Sequence, residues 1–189
     1  IYEMGKPILP EKWNELSMEQ ISFGQGLGVV PLSFASAVAA VVNGGYLIEP
    51  TLYIRDKSYK TSAKLITSDV SKRMRYVMRE VVRNGSGKKA DIDGYNVIGK
   101  TGTADKPCIT GGYCGRMTSF VGAFPGNDPE YVVLVSIDNP KGKKDVRGSS
   151  AYWNAAPAAG EVIKLIAPQL NIPIQNNFNV FQEHARADN

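Results

Sequence analysis

The chain has 189 residues, 43% hydrophobic and 21% charged, a balance that fits one globular domain with a real core and excludes wholesale disorder. The formal net charge is +4, but the 22 basic residues are spread along the chain. An ordinary solvated surface is therefore expected, with no nucleic acid as partner. One His and two Cys cannot build a four-ligand zinc site without several carboxylates, and no metal-ligand spacing appears, so no metal or other cofactor is expected. His184 lies in a polar tail, which argues against a Ser-His-Asp mechanism within the chain. No apolar run reaches the roughly 18 residues of a membrane-spanning helix. The opening Ile1-Tyr2-Glu3-Met4 has neither an initiator Met nor a basic-then-apolar leader, so the sequence reads as an excised piece with any targeting segment upstream.

Residues 7–28 hold prolines and glycines and are expected to be irregular, with a short polar stretch at 11–20. Pro31 then stands at a first helical position before Leu32-Ser33-Phe34-Ala35-Ser36-Ala37-Val38-Ala39-Ala40-Val41-Val42, stopped by Asn43-Gly44-Gly45. Without a charged face this helix should be buried. Residues 46–53 read as extended and 55–64 as a polar loop. Ser68 is the expected cap of a second helix, in which Val70, Met74, Val77, Met78, Val81 and Val82 recur at helical spacing. Lys72, Arg73, Arg75, Arg79 and Arg83 take the remaining surface, and Asn84-Gly85 ends the helix.

From Tyr95 the period changes to that of strands. Residues 95–104, 117–124 and 131–137 are three strand-like segments joined by short turns, which predicts an antiparallel meander. A last helix over 154–167 should place Ala155, Ala158, Ala159, Val162, Leu165 and Ile166 on one face and halt at Pro168. The polar segment 172–189 is expected to be a poorly ordered tail after a unit spanning 1–171. These elements describe an α+β fold, an antiparallel sheet flanked by helices.

Lys100-Thr101-Gly102-Thr103-Ala104 closes the first strand. Strict alternation puts Thr101 and Thr103 on one face with Lys100 and Gly102 on the other. A site using all four must lie along the strand's edge. There the backbone can pair with an extended peptide, and Gly102 lets that peptide approach closely. The ammonium of Lys100 and the two threonine hydroxyls suit a substrate carboxylate. Taken alone, this pentapeptide also fits a plain strand running into a turn.

The wider pattern resembles the transpeptidase domain of class B penicillin-binding proteins. The landmarks are Ser22-Phe23-Gly24-Gln25-Gly26 before the Pro31-Leu32 helix start, Asn43-Gly44-Gly45 after it, Gly85-Ser86-Gly87 after the next helix, and Gly99-Lys100-Thr101-Gly102-Thr103-Ala104. Ser119-Phe120-Val121-Gly122-Ala123-Phe124-Pro125 and Trp153-Asn154-Ala155-Ala156-Pro157 extend the match over roughly residues 10–170 in family order. The resemblance implies part of a penicillin-binding, serine β-lactamase-like fold. The complete protein would be a serine-type enzyme that is acylated by a D-Ala-D-Ala stem peptide of peptidoglycan, releases D-Ala and passes the acyl group to an amine. β-Lactams would acylate the same serine. Lys100, Thr101, Gly102 and Thr103 would bind the substrate, with Lys100 and Thr103 also serving catalysis. Thr103 would add a backbone N–H to the oxyanion hole.

Of the three motifs that meet in that family's cleft, only Lys-Thr-Gly is clearly present. No Ser-x-Asn occurs, and Ser86-Gly87-Lys88-Lys89, which satisfies Ser-x-x-Lys, follows a helix end instead of opening a helix. The isolated chain should therefore be inactive. The implied setting is the periplasm-facing side of a bacterial inner membrane, with an anchor upstream and cell-division membrane proteins as partners. The Ser22-Phe23-Gly24-Gln25-Gly26 form favours the division-specific type, and as a loop it should pack below the cleft, since it lacks the pattern of a phosphate loop. Lys141-Gly142-Lys143-Lys144 reads as a solvated basic loop. A catalytically silent β-lactam sensor or division scaffold of the same fold is the alternative, whereas a β-lactamase would need a deacylating base that is not found.

Cys108 and Cys114 flank what reads as a hairpin tip, where a disulfide or two free thiols are both open. Tyr131-Val132-Val133-Leu134-Val135-Ser136-Ile137 suits a central strand covered on both faces. The resemblance implies that its partner strand comes from before Ile1. Its absence would leave an edge prone to self-association.

Overall fold

The computed structural model describes residues 5–10, 12–54, 63–108, 110–141 and 149–181. His184, the stretches 55–62 and 142–148, and the last part of the tail, 182–189, lie outside them. The opening is not wholly irregular, because α1 (Glu15–Ser22) forms within it. Its start is a reciprocal cap in which Asn14 Oδ1 accepts from the Ser17 N–H and Ser17 Oγ accepts from the Asn14 N–H, both at 2.8 Å. That pairing offsets the low propensity of a short polar segment.

Helix α2 (Pro31–Val42) starts at its proline and ends at Asn43, as its sequence predicts. Positive φ values at Gly44 and Gly45 follow, and a side chain on Gly45 would collide with the Ile66 carbonyl, so only glycine fits this turn. The expectation of a buried helix is corrected, since only Ala40 and Val42 are buried. Among the described residues α2 packs against the sheet and α3, and the rest of its side chains stay at least partly exposed. Residues 46–53 form no regular strand, although Tyr46 makes an isolated antiparallel bridge with Lys64.

Helix α3 (Ser68–Asn84) is capped by Thr67, one residue before the expected Ser68, and stops at Gly85. Its inner face matches the expected one at Met78 and Val82 and departs from it elsewhere. Ser71, Arg75, Met78, Arg79 and Val82 are buried, while Val70, Met74 and Val77 are exposed. The two arginines go inside because carbonyls and a carboxylate await them. Arg75 donates to the Asn127 carbonyl, and Arg79 Nη1 donates to Asp91 Oδ1 and to the Val97 carbonyl. Burial lowers the pKa of the Arg75 guanidinium from its ordinary value, against the opposing pull of Asp128.

Strands β1 (Ile98–Pro107), β2 (Tyr113–Phe124) and β3 (Tyr131–Asp138) form the predicted antiparallel meander in the order β1-β2-β3. The first hairpin runs further than the sequence pattern suggests, and its tip is closed by a disulfide between Cys108 and Cys114, with Cα atoms 5.4 Å apart. Helix α4 (Ala155–Ile166) follows a helical turn at Ala151–Trp153 and is capped by Asn154. Its buried residues are Ala155, Ala156, Ala159, Gly160 and Ile163, whereas Val162 and Leu165, expected inside, face out. Small residues win because the backbones come close: a side chain on Gly160 would meet the Lys89 carbonyl at 3.0 Å.

Strand alternation divides the core in two. Val97, Phe120, Phe124 and the odd-numbered residues of β3 pack with α4, while Ile98, Ala123 and Val132 pack with Val38, Val41 and Val42 of α2. Helix α3 joins both clusters, Met78 in one and Val82 in the other. The tail contradicts its expected disorder over 172–181, where Ile172 and Val180 are buried. Strand β3 has helices on both faces, yet among the described residues it pairs only with β2. Among the described residues the sheet therefore ends at the strand whose sequence suits a central place.

Candidate active site

Lys100, Thr101, Gly102 and Thr103 lie side by side in β1, which among the described residues pairs only with β2. Two glycines hold the strand close to its neighbour. Gly99 is paired with Gly122, and a side chain on either would collide with the fully buried Phe120 ring. Before the strand begins, Arg79 takes the Val97 carbonyl. Beyond that point Lys100 and Thr103 are exposed.

The threonines share the α4 face, as alternation requires, and each hydroxyl has a partner. Thr101 Oγ1 lies 2.6 Å from Ser86 Oγ in the turn after α3. Thr103 Oγ1 accepts a 3.2 Å bond from the Ala151 N–H at the turn leading to α4. Lys100 belongs to the opposite side chain row and folds its ammonium onto the Thr101 carbonyl at 2.7 Å. Gly102 sits opposite Ser119, whose hydroxyl would be 2.7 Å from any added Cβ. A side chain at this position would oblige the Ser119 hydroxyl to turn away. The arrangement presents a cation, two oriented hydroxyls and a strand edge together, a set suited to a peptide carboxylate.

Ser86 was a landmark in the sequence without a place in the site. The signal was its position between two glycines after a helix, but only tertiary folding brings it to Thr101. Its Ser-x-x-Lys partner, Lys89, turns elsewhere, with Nζ 3.7 Å from the Trp153 ring centroid and 4.9 Å from that of Tyr152. A side chain so engaged is not paired with the Ser86 hydroxyl as a base. Ser22-Phe23-Gly24-Gln25-Gly26 ends α1 and turns through positive φ at Gly24 and Gly26. Phe23 is 70% exposed, so among the described residues this loop does not pack as expected. Of Lys141-Gly142-Lys143-Lys144, only Lys141 is described, and it is exposed. No cluster of metal-binding side chains occurs among the described residues, and none of their helices is long and apolar enough to cross a membrane.

Residues 3–163 match the family model described as the penicillin binding protein transpeptidase domain. The probable peptidoglycan D,D-transpeptidase FtsI of Caulobacter vibrioides is 36% identical over 184 residues, covering 91% of this chain and 31% of that protein. Stage V sporulation protein D of Bacillus subtilis is 36% identical over 180 residues, covering 88% of this chain and 27% of that protein. The chain thus spans about a third or less of these curated relatives. Among solved structures, the transpeptidase domain of penicillin-binding protein 3 from Burkholderia pseudomallei superposes with a TM-score of 0.76 at 27% identity, covering 87% of this chain and 49% of that one. Penicillin-binding protein 3 of Mycobacterium tuberculosis, solved with ampicillin, shares the fold with a TM-score of 0.76 at 23% identity, over 92% of this chain and 42% of that one. The family match over most of the chain and the shared fold place this protein in the penicillin-binding protein transpeptidase domain family.

Proposed function

We propose that this chain is part of a serine-type peptidoglycan D,D-transpeptidase whose nucleophile lies outside the 189 residues. The observation that carries this reading is the β1 edge, where exposed Lys100 stands beside hydroxyls tethered by Ser86 and Ala151. In the reaction, a serine oxygen attacks the carbonyl of the penultimate D-Ala, and the C–N bond to the terminal D-Ala breaks. That residue leaves as the protonated amine. A second amine then attacks the acyl-serine ester, forming the cross-link and returning the proton to the serine. Lys100 anchors the substrate carboxylate and supports proton transfer, Thr101 and Thr103 donate hydrogen bonds, and Gly102 leaves room for the peptide. The Thr103 N–H contributes to the oxyanion hole, where losing one donor costs on the order of 3 kcal/mol in the transition state. β-Lactams acylate the same serine.

In this reading the complete protein works at the periplasmic face of a bacterial inner membrane, anchored upstream of this chain and together with cell-division membrane proteins. The Cys108–Cys114 bridge fits that oxidising compartment, and the Ser22-Phe23-Gly24-Gln25-Gly26 loop favours the division type. The test is to incubate the full-length protein with a D-Ala-D-Ala stem peptide and an acceptor amine. Release of D-Ala, joined product and blockade by penicillin are expected. Penicillin labelling without D-Ala release would favour the silent sensor, and neither would refute both.

A further inference from the structure

The segment after α4 packs back onto the fold. Residues 174–180 run back across the sheet's far end and fasten three pieces together. The Gln175 N–H donates to the Gly94 carbonyl at 2.7 Å. Asn96 Nδ2 donates to the carbonyls of Gln175 and Asn177, at 3.3 and 3.2 Å. Asn127, in the β2–β3 connection, donates from Nδ2 to the Asn177 carbonyl at 2.7 Å and accepts at Oδ1 from the Asn179 N–H at 2.8 Å. Phe178 packs with the Ile98 and Ala123 cluster, and Val180 is 3% exposed.

All of these fastenings meet at the root of β1. Asn96 holds a left-handed backbone, φ 47°, immediately before Val97, a turn that asparagine adopts more readily than other non-glycine residues. A side chain at Gly126 would strike the Asn96 carbonyl and meet Phe178 at 3.1 Å. The same connection receives Arg75 at the Asn127 carbonyl, and Arg79 holds Val97. Lys100 to Thr103 follow directly along the same strand, while Ser86 and Ala151 approach from other elements. The separation between strand hydroxyls and these partners is therefore set by where β1 is rooted.

We infer that residues 174–180 form a positioning strap for β1, with Asn127 as its principal fastening, so that the strap holds Lys100 to Thr103 in working register. The inference rests on the transpeptidase reading only for its consequence in catalysis. Asn127 touches no substrate and acts through the strand. Misplacement of a reacting constellation by a remote change costs up to about a hundredfold in rate.

The test uses the full-length protein, with two readouts: the rate of acylation by a labelled penicillin, and hydrogen exchange of the amides of 98–103 and 175–180. Asn127→Ala is expected to slow acylation at least tenfold and to speed exchange in both segments. Asn127→Asp supplies the control. Near neutral pH its carboxylate accepts from the Asn179 N–H but cannot donate to Asn177, so it should fall between the parent and the alanine variant. Below about pH 4 the protonated acid regains a donor, and exchange over 98–103 should return to that of the parent at the same pH. If Asn127→Ala fails to fold, Gln175→Pro, which removes the single bond to Gly94, is read in the same two ways. Faster exchange over 175–180 with unchanged acylation and unchanged 98–103 would overturn the inference. A parent protein that takes no penicillin would count against the transpeptidase reading, and the exchange over 98–103 would still decide whether the strap governs the strand.

Discussion

Ser86 Oγ and Thr101 Oγ1 lie 2.6 Å apart, joining the turn after α3 to the strand that carries the candidate site. Ser86→Ala leaves the Thr101 hydroxyl free to rotate away from its present direction. A neutral hydrogen bond is worth about 1 kcal/mol, so penicillin acylation of the full-length protein should slow about fivefold. Ser86→Thr, which keeps the hydroxyl, should retain most of the rate. Equal rates for Ser86→Ala and parent, measured by stopped labelling, would remove Ser86 from the site.

Lys100→Ala should slow penicillin acylation of the full-length protein by at least tenfold, because the exposed ammonium that anchors a carboxylate is lost. The fold should survive, since Lys100 is exposed and its ammonium donates to its neighbour's carbonyl. Unchanged acylation with an intact circular-dichroism spectrum would reduce Lys100 to a structural role.

The purified 189-residue chain should form no covalent adduct with a labelled penicillin. Its one Ser-x-x-Lys stretch follows the end of α3, and Lys89 rests on Trp153 instead of serving Ser86. A labelled band that survives boiling in detergent would show that a serine of this chain is the nucleophile.

Titration of the protein secreted under oxidising conditions, then denatured without reductant, should find no reactive thiol at Cys108 or Cys114. Replacing both by Ala should lower stability by about 2 kcal/mol, the loop-closure estimate for so short a loop. Two reactive thiols would count against the bridge.

The isolated chain should dimerise or form larger assemblies through β3. Tyr131 to Asp138 pairs with β2 alone among the described residues, and no proline interrupts it. Such an edge offers unpaired backbone groups beside apolar side chains. Sedimentation at several concentrations is the measurement. A monomer at high concentration, with amides of 132–136 protected from exchange, would mean that the edge is covered from within the chain.

The sequence by itself determined the order and type of the main elements. Pro31 and Asn43-Gly44-Gly45 bound α2, apolar and β-branched runs between turn residues marked β1 to β3, and Asn154 opened α4, because caps, turn residues and strand composition are local consequences of residue type. It also placed Lys100 and Gly102 apart from Thr101 and Thr103, since alternation follows from strand geometry alone. Tertiary structure decided which way the helices face. Apolar spacing in α3 found the buried Met78 and Val82 but also pointed to Val70, Met74 and Val77, which are exposed, while Arg75 and Arg79 go inside because the Asn127 and Val97 carbonyls and Asp91 can be met only from that side. In α4 the close backbone approach at Gly160 outweighed the larger apolar side chains. The polar tail gained order from Asn96 and Asn127, residues far from it in sequence. Periodicity records what a segment would bury. The fold records which partners, brought from elsewhere in the chain, make that burial possible.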